Sequence, residues 1–126
     1  MQIKRGVSRT VLLIGSYAIK MPSFRNGSRY FVTGMLGNIL ECEHWKVTHH
    51  SNLAPVYHCG IIGLWLVMKR YKTILDRLLT NEELSQFPFL NIDNNGENIA
   101  IDDGILVLID YGNVGWYLLF DERVKE

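Results

Sequence analysis

Asp93, Asn98 and Asp110 are the residues from which chemistry is most readily read, because two carboxylates and a carboxamide flank one short hairpin. Asp93 precedes Asn98 by five residues across the polar loop Asn94-Asn95-Gly96-Glu97, and the apolar run Ile99-Ala100-Ile101 follows. Asp102-Asp103-Gly104 carries the Asp-Gly signal that joins two strands, and Ile105-Leu106-Val107-Leu108-Ile109 returns to deliver Asp110-Tyr111-Gly112. A hairpin brings the loop before its first strand and the loop after its second to one edge, so the three side chains are expected to converge. Oxygen donors of this kind suit a hard divalent cation bound to phosphate.

The elements that must position these residues sit within one modest chain. Its 126 residues are expected to form a single domain that buries roughly two-thirds of its unfolded surface. Thirteen basic residues balance thirteen acidic ones, which leaves no electrostatic footprint for nucleic acid or for an anionic membrane. The longest apolar run, Gly60 to Met68, has nine residues, less than half of a membrane span. The N-terminus lacks the pattern of a signal peptide, so a cytoplasmic location is expected, with Cys42 and Cys59 as free thiols.

Residues 3 to 21 read as a hairpin, Thr10 to Ile14 and Tyr17 to Met21 about a Gly15-Ser16 turn, closed by Pro22. Residues 23 to 34 read as a surface loop. Met35 to Val47 follows as a helix with Leu36, Ile39, Leu40, Glu43 and Val47 on one face, although Gly37 and Asn38 weaken the pattern. A carboxylate in an apolar stripe needs a partner, which singles out Glu43. Glu41, on another face, is the alternative. His44, His49, His50 and His58 lack the paired-cysteine spacing of a zinc site and read as structural or solvated. Leu53 to Gly60 and Ile61 to Tyr71 form a second hairpin with Leu64 to Met68 as a buried strand. Thr73 to Ser85 reads as one or two short helices with a capping box at Thr80 and Glu83.

Two spans, Asn91-Ile92-Asp93-x-x-x-x-Asn98 and Asp110-Tyr111-Gly112, resemble the H-R-D-x-x-x-x-N catalytic loop and the D-F-G segment of protein kinases. Tyr17-Ala18-Ile19-Lys20 resembles the V-A-I-K strand whose lysine pairs the α- and β-phosphates of ATP; read alone, such a lysine is ordinarily solvated. The resemblance implies that Lys20 pairs with a helix glutamate, Glu43 or Glu41, and that Asn98 and Asp110 hold Mg²⁺. It implies that Asp93 is the catalytic base. It further implies that Gly6, Ser8 and Arg9 form a degenerate phosphate-covering loop and that Met68, Lys69 and Tyr71 flank the adenine pocket. The fold class expected is α+β, with an antiparallel N-lobe sheet and one helix over residues 1–71 and a much reduced C-lobe over 72–126.

Departures from the family are equally specific. One glycine stands where the loop normally has three, Asn91-Ile92 replaces His-Arg, and Asn95 stands where many kinases carry a lysine. Only 14 residues follow Gly112, too few for the family's large helical lobe and activation loop. The implied activity is ATP- and Mg²⁺-dependent transfer of a phosphoryl group to a hydroxyl of a protein substrate. Completion of the reduced lobe by a target protein or by self-association into a homo-oligomer is open. The alternative is a pseudokinase-like interaction protein, such as a phage-encoded inhibitor of a host protein, in keeping with the short chain. A third option is an unrelated α+β domain whose motifs are accidental.

Overall fold

A computed structural model describes residues 1–49, 51–72, 74–75, 77–87 and 99–111. Strand β1 (Gln2–Arg5) runs into β2 (Arg9–Ile14) and β3 (Tyr17–Pro22), then comes helix α1 (Ser28–Thr48). Strand β4 (Val56–Cys59), a single 3-10 turn (Ile61–Gly63) and β5 (Leu66–Lys69) follow. A one-turn helix α2 (Asn81–Leu84) precedes the hairpin β6 (Ile99–Asp102) and β7 (Ile105–Leu108). The first five strands form an antiparallel sheet in the order β1-β2-β3-β5-β4, so β5 is interior, as its unbroken apolar run implies. The expected α+β class with an antiparallel sheet and one main helix is met.

Side chains alternate across the sheet, and the register decides what meets. Arg9 lies opposite Pro22, Val11 opposite Lys20 and Leu13 opposite Ala18, while Lys20 and Ala18 lie opposite Leu66 and Met68 on the other side. Arg9, Lys20, Leu66 and Met68 therefore share the face that α1 covers. The β6–β7 hairpin turns through Asp103 and Gly104, both at positive φ (52° and 79°), as a two-residue Asp-Gly turn requires. It docks on the segment after α1: Ala54 N–H donates to Leu108 O at 2.9 Å, and Leu108 N–H donates to Asn52 O at 2.7 Å. Leu53, Leu66, Met68, Ile99, Leu108 and Tyr111 are buried together where the sheet, the helix end and the hairpin meet.

Several expectations are corrected. Helix α1 starts at Ser28, so residues 28–34 are helical and not loop. The stripe chosen as core-facing points the other way: Leu36, Glu43 and Val47 are exposed, and Gly34, Asn38, Glu41, Cys42 and His44 are buried. Cys42 and Cys59 are a disulfide and not free thiols, because α1 lies across β4 and sets their Cα atoms 6.2 Å apart, within bridging range. Residues 77–79 are not helical; Leu75 N–H instead bonds Ile99 O at 2.9 Å, tying this segment to the hairpin. The capping box is present: Thr80 Oγ1 accepts from Glu83 N–H and Glu83 accepts from Thr80 N–H. No helix among the described residues is long and apolar enough to cross a membrane.

Gly34, expected in a loop, explains how α1 comes so near the sheet. A methyl group at Gly34 would strike the carbonyl oxygen of Ser8 and meet Pro22 Cα at 3.0 Å, whereas one at Gly37 would meet only the Arg9 side chain, at 3.4 Å. Alanine normally favours a helix over glycine by up to about 1 kcal/mol. At position 34 the backbone clash outweighs that gain, so Gly34→Ala should destabilise the fold by about 1–3 kcal/mol, while Gly37→Ala should fall within about 0.5 kcal/mol of the parent. Urea denaturation of the two variants checks the contrast, and equal stabilities would show that the helix does not sit this close.

Candidate functional site

The site grows from one residue on each of three elements. Lys20 in β3 and Glu41 in α1 are both buried, and Lys20 Nζ donates to Glu41 Oε1 at 2.7 Å. The hairpin closes over the pair: Lys20 Nζ also donates to Ile109 O at 2.6 Å, and the Tyr111 amide donates to Glu41 Oε1 at 3.2 Å. Arg9, at the start of β2, adds a second cation. Its Nη1 donates to Glu41 Oε2 at 2.6 Å and to Asn38 Oδ1 at 3.1 Å, and its Nη2 donates to Asp110 Oδ1 at 2.5 Å.

Two cations thus face two carboxylates, and each charge is set by its surroundings. Burial pulls Lys20 below lysine's ordinary value, against the attraction of Glu41. For Arg9, burial also opposes the charge, but Glu41 and then Asp110 outweigh it and hold the guanidinium above its ordinary value. Asp110 is lowered: burial works toward protonation, and the nearby Lys20 and Arg9 overcome it. Its side chain is 48% exposed, against 0% for Glu41, so Asp110 is the member of the cluster that reaches the rim.

Asn38 holds the frame together. Its Nδ2 donates to Lys20 O at 3.1 Å and to Gly63 O at 2.9 Å, while its Oδ1 takes the Arg9 bond, so one carboxamide links α1 to β3, the 3-10 turn and β2. His44, one helical turn beyond Glu41, is buried edge-on to the Tyr111 ring at 5.4 Å. The Tyr111 hydroxyl donates to Ala54 O at 2.9 Å. Burial and then the Glu41 charge push the Tyr111 hydroxyl pKa above its ordinary value. Sequence reasoning missed Asn38 and His44. The available signal was their polar spacing with Glu41 at i, i+3 and i+6, a face it set aside for the apolar one.

The expected partner of Lys20 is corrected here. Glu43 projects into solvent 3.6 Å from Lys46, and Glu41 makes the pair, because the helix turns its polar face inward. Gly6 and Ser8 form the β1–β2 turn, with Gly6 N–H donating to Arg9 O at 2.8 Å and Ser23 N–H donating to Ser8 O at 2.8 Å. Met68 packs in the core. Lys69 pairs with Asp102 at 3.3 Å, and its ammonium lies 5.0 Å from the Tyr71 ring centre. Burial, then Asp102 and Tyr57, push the Tyr71 hydroxyl up to about 12. Both side chains line a recess of about 230 Å³ with Trp45, His49 and Asp102, apart from the Lys20 cluster. Asp93 and Asn98 lie outside the described residues. Among the described residues no group of three or more histidines, cysteines or carboxylates is arranged for a metal.

No protein-family model matches the sequence, and no curated protein does. Among solved structures, a co-crystal structure of WbdD with the kinase inhibitor LY294002 matches with a TM-score of 0.54 and 18% identity. The match covers 86% of this chain and 31% of that one. At this identity the likeness concerns the fold alone, an antiparallel sheet with one main helix.

The charge arrangement gives a direct contrast. Removing the Glu41 charge leaves buried Lys20 without a carboxylate and Arg9 with Asp110 alone, so Glu41→Gln should cost about 3–5 kcal/mol, whereas Glu43→Gln, losing only an exposed pair, should change stability by less than about 1 kcal/mol. Denaturation midpoints of the two variants check this, and equal losses would assign the pairing wrongly.

Proposed function

We propose that this chain is a minimal kinase-like phosphotransferase that binds ATP and Mg²⁺ and passes a phosphoryl group to a hydroxyl acceptor on a protein. The observation that carries the reading is the buried Lys20–Glu41 pair standing beside the rim carboxylate Asp110. A lysine held in this way presents a fixed positive charge to phosphate oxygens. Catalysis in such a site rests on positioning and charge neutralisation. The likeness of fold to the inhibitor-bound WbdD structure supports the same reading.

In this proposal Lys20 holds the α- and β-phosphates and Glu41 orients Lys20. Asp93 accepts the proton of the attacking hydroxyl. Asp110 is a charged, half-exposed oxygen donor and so suits a hard cation; with Asn98 it would hold Mg²⁺, which would neutralise charge on the phosphates. A target protein or a second copy of the chain would supply the acceptor side of the site.

A second reading, a pseudokinase-like interaction protein, is favoured by one observation: Arg9 already occupies Asp110, the carboxylate a metal needs. Thermal melts with ATP and Mg²⁺, run beside a labelled-phosphate transfer assay, separate the two. Nucleotide at about 100 times its dissociation constant adds about 2.7 kcal/mol, or roughly 10 °C for a domain of this size. The enzyme reading expects that shift, together with transfer that Asp93→Asn abolishes. A shift without transfer favours the interaction protein, and no shift removes both.

A further inference from the structure

Arg9 makes contacts that a simple phosphate donor does not need. Its side chain runs past Gly34, where a Cβ would come within 3.2 Å of it, and reaches the buried Glu41 carboxylate. There one guanidinium is shared among Glu41, Asn38 and Asp110, with only 13% of the side chain exposed. Lys20, by contrast, spends its bonds on Glu41 and the carbonyl of Ile109. Asp110, the carboxylate assigned to the cation in the reading above, is therefore held by Arg9.

A divalent cation arriving alone must displace or approach that guanidinium, and like charges at contact distance repel strongly. Nucleotide changes the balance. Phosphate oxygens accept the planar fork of arginine in pairs, and Arg9 directly follows the Gly6–Ser8 turn. Releasing Asp110 leaves Arg9 its bond to Glu41, so the exchange requires one end of the guanidinium to let go and not the whole side chain.

We propose that Arg9 couples the two ligands: without nucleotide it holds Asp110, and on nucleotide binding it exchanges Asp110 for a phosphate oxygen, freeing the carboxylate for the divalent cation. The inference rests on the nucleotide-site reading. It makes metal binding follow nucleotide binding, and it turns the contact that favours a pseudokinase into a step of ligand loading.

The test is a pair of calorimetric titrations on the folded wild-type chain and on Arg9→Gln: Mn²⁺ without nucleotide, and ATP without metal in the presence of a chelator. Arg9→Gln should bind Mn²⁺ roughly tenfold more tightly and metal-free ATP roughly tenfold more weakly. These opposite signs set the proposal apart from a structural role, which would weaken both ligands together. Should Arg9→Gln not fold, Arg9→Lys decides: a single ammonium cannot span Glu41 and Asp110 as the fork does, so both shifts keep their signs at smaller size. Mn²⁺ affinity unchanged in the variant, or both affinities moving the same way, overturns the inference while leaving the nucleotide site standing. Failure of ATP to bind the wild type with or without Mg²⁺ overturns the nucleotide site itself, and the inference with it.

Discussion

The carboxylate of Glu41 is fully buried, and a buried charge is tolerable only when it is met. Two cations and one amide meet it, and they come from β2, β3 and the segment leaving β7. Sheet, helix and hairpin are thus joined through a single side chain. Such a cluster is a costly way to gain stability, since apolar residues of similar volume often do as well. Its value lies in placement: it holds Lys20 at one depth and Asp110 at the rim on an otherwise small scaffold.

Much of this arrangement was legible in the sequence, for reasons that can be named. The alternation around Lys20 marks a strand, and the Asp103-Gly104 turn marks a hairpin, because local sterics restrict both. The Thr80–Glu83 capping box was legible on the same grounds. Helix α1 was harder. Its apolar residues at positions 36, 39 and 47 follow the helical period, but the helix covers a charged cleft, so the usual inference from apolar stripe to core is reversed. Glu41 was consequently ranked below Glu43. Asn38 looked like a flaw in a helix and is instead where the helix bonds β3 and Arg9.

The disulfide shows a different limit. Cys42 and Cys59 are separated by 17 positions, and nothing local says that α1 will lie across β4. Pairing of this kind depends on tertiary proximity, which a single sequence does not contain. Asp110 lies between these cases: its place after the hairpin was legible, but its engagement by Arg9 depends on two strands and a helix meeting. Arg9 was expected as a donor to phosphate; its hold on Asp110 was not foreseen.

Lys20 is the residue on which the proposed nucleotide site depends. Calorimetric titration of Mg²⁺-ATP into the wild-type chain and into Lys20→Ala tests that dependence most directly, because Glu41 keeps Arg9 as a partner in the variant and the fold retains its central charge pair. The account predicts one binding site in the wild type, weakened at least tenfold by the substitution. Equal affinity in the two proteins, or no binding heat in the wild type, would contradict it.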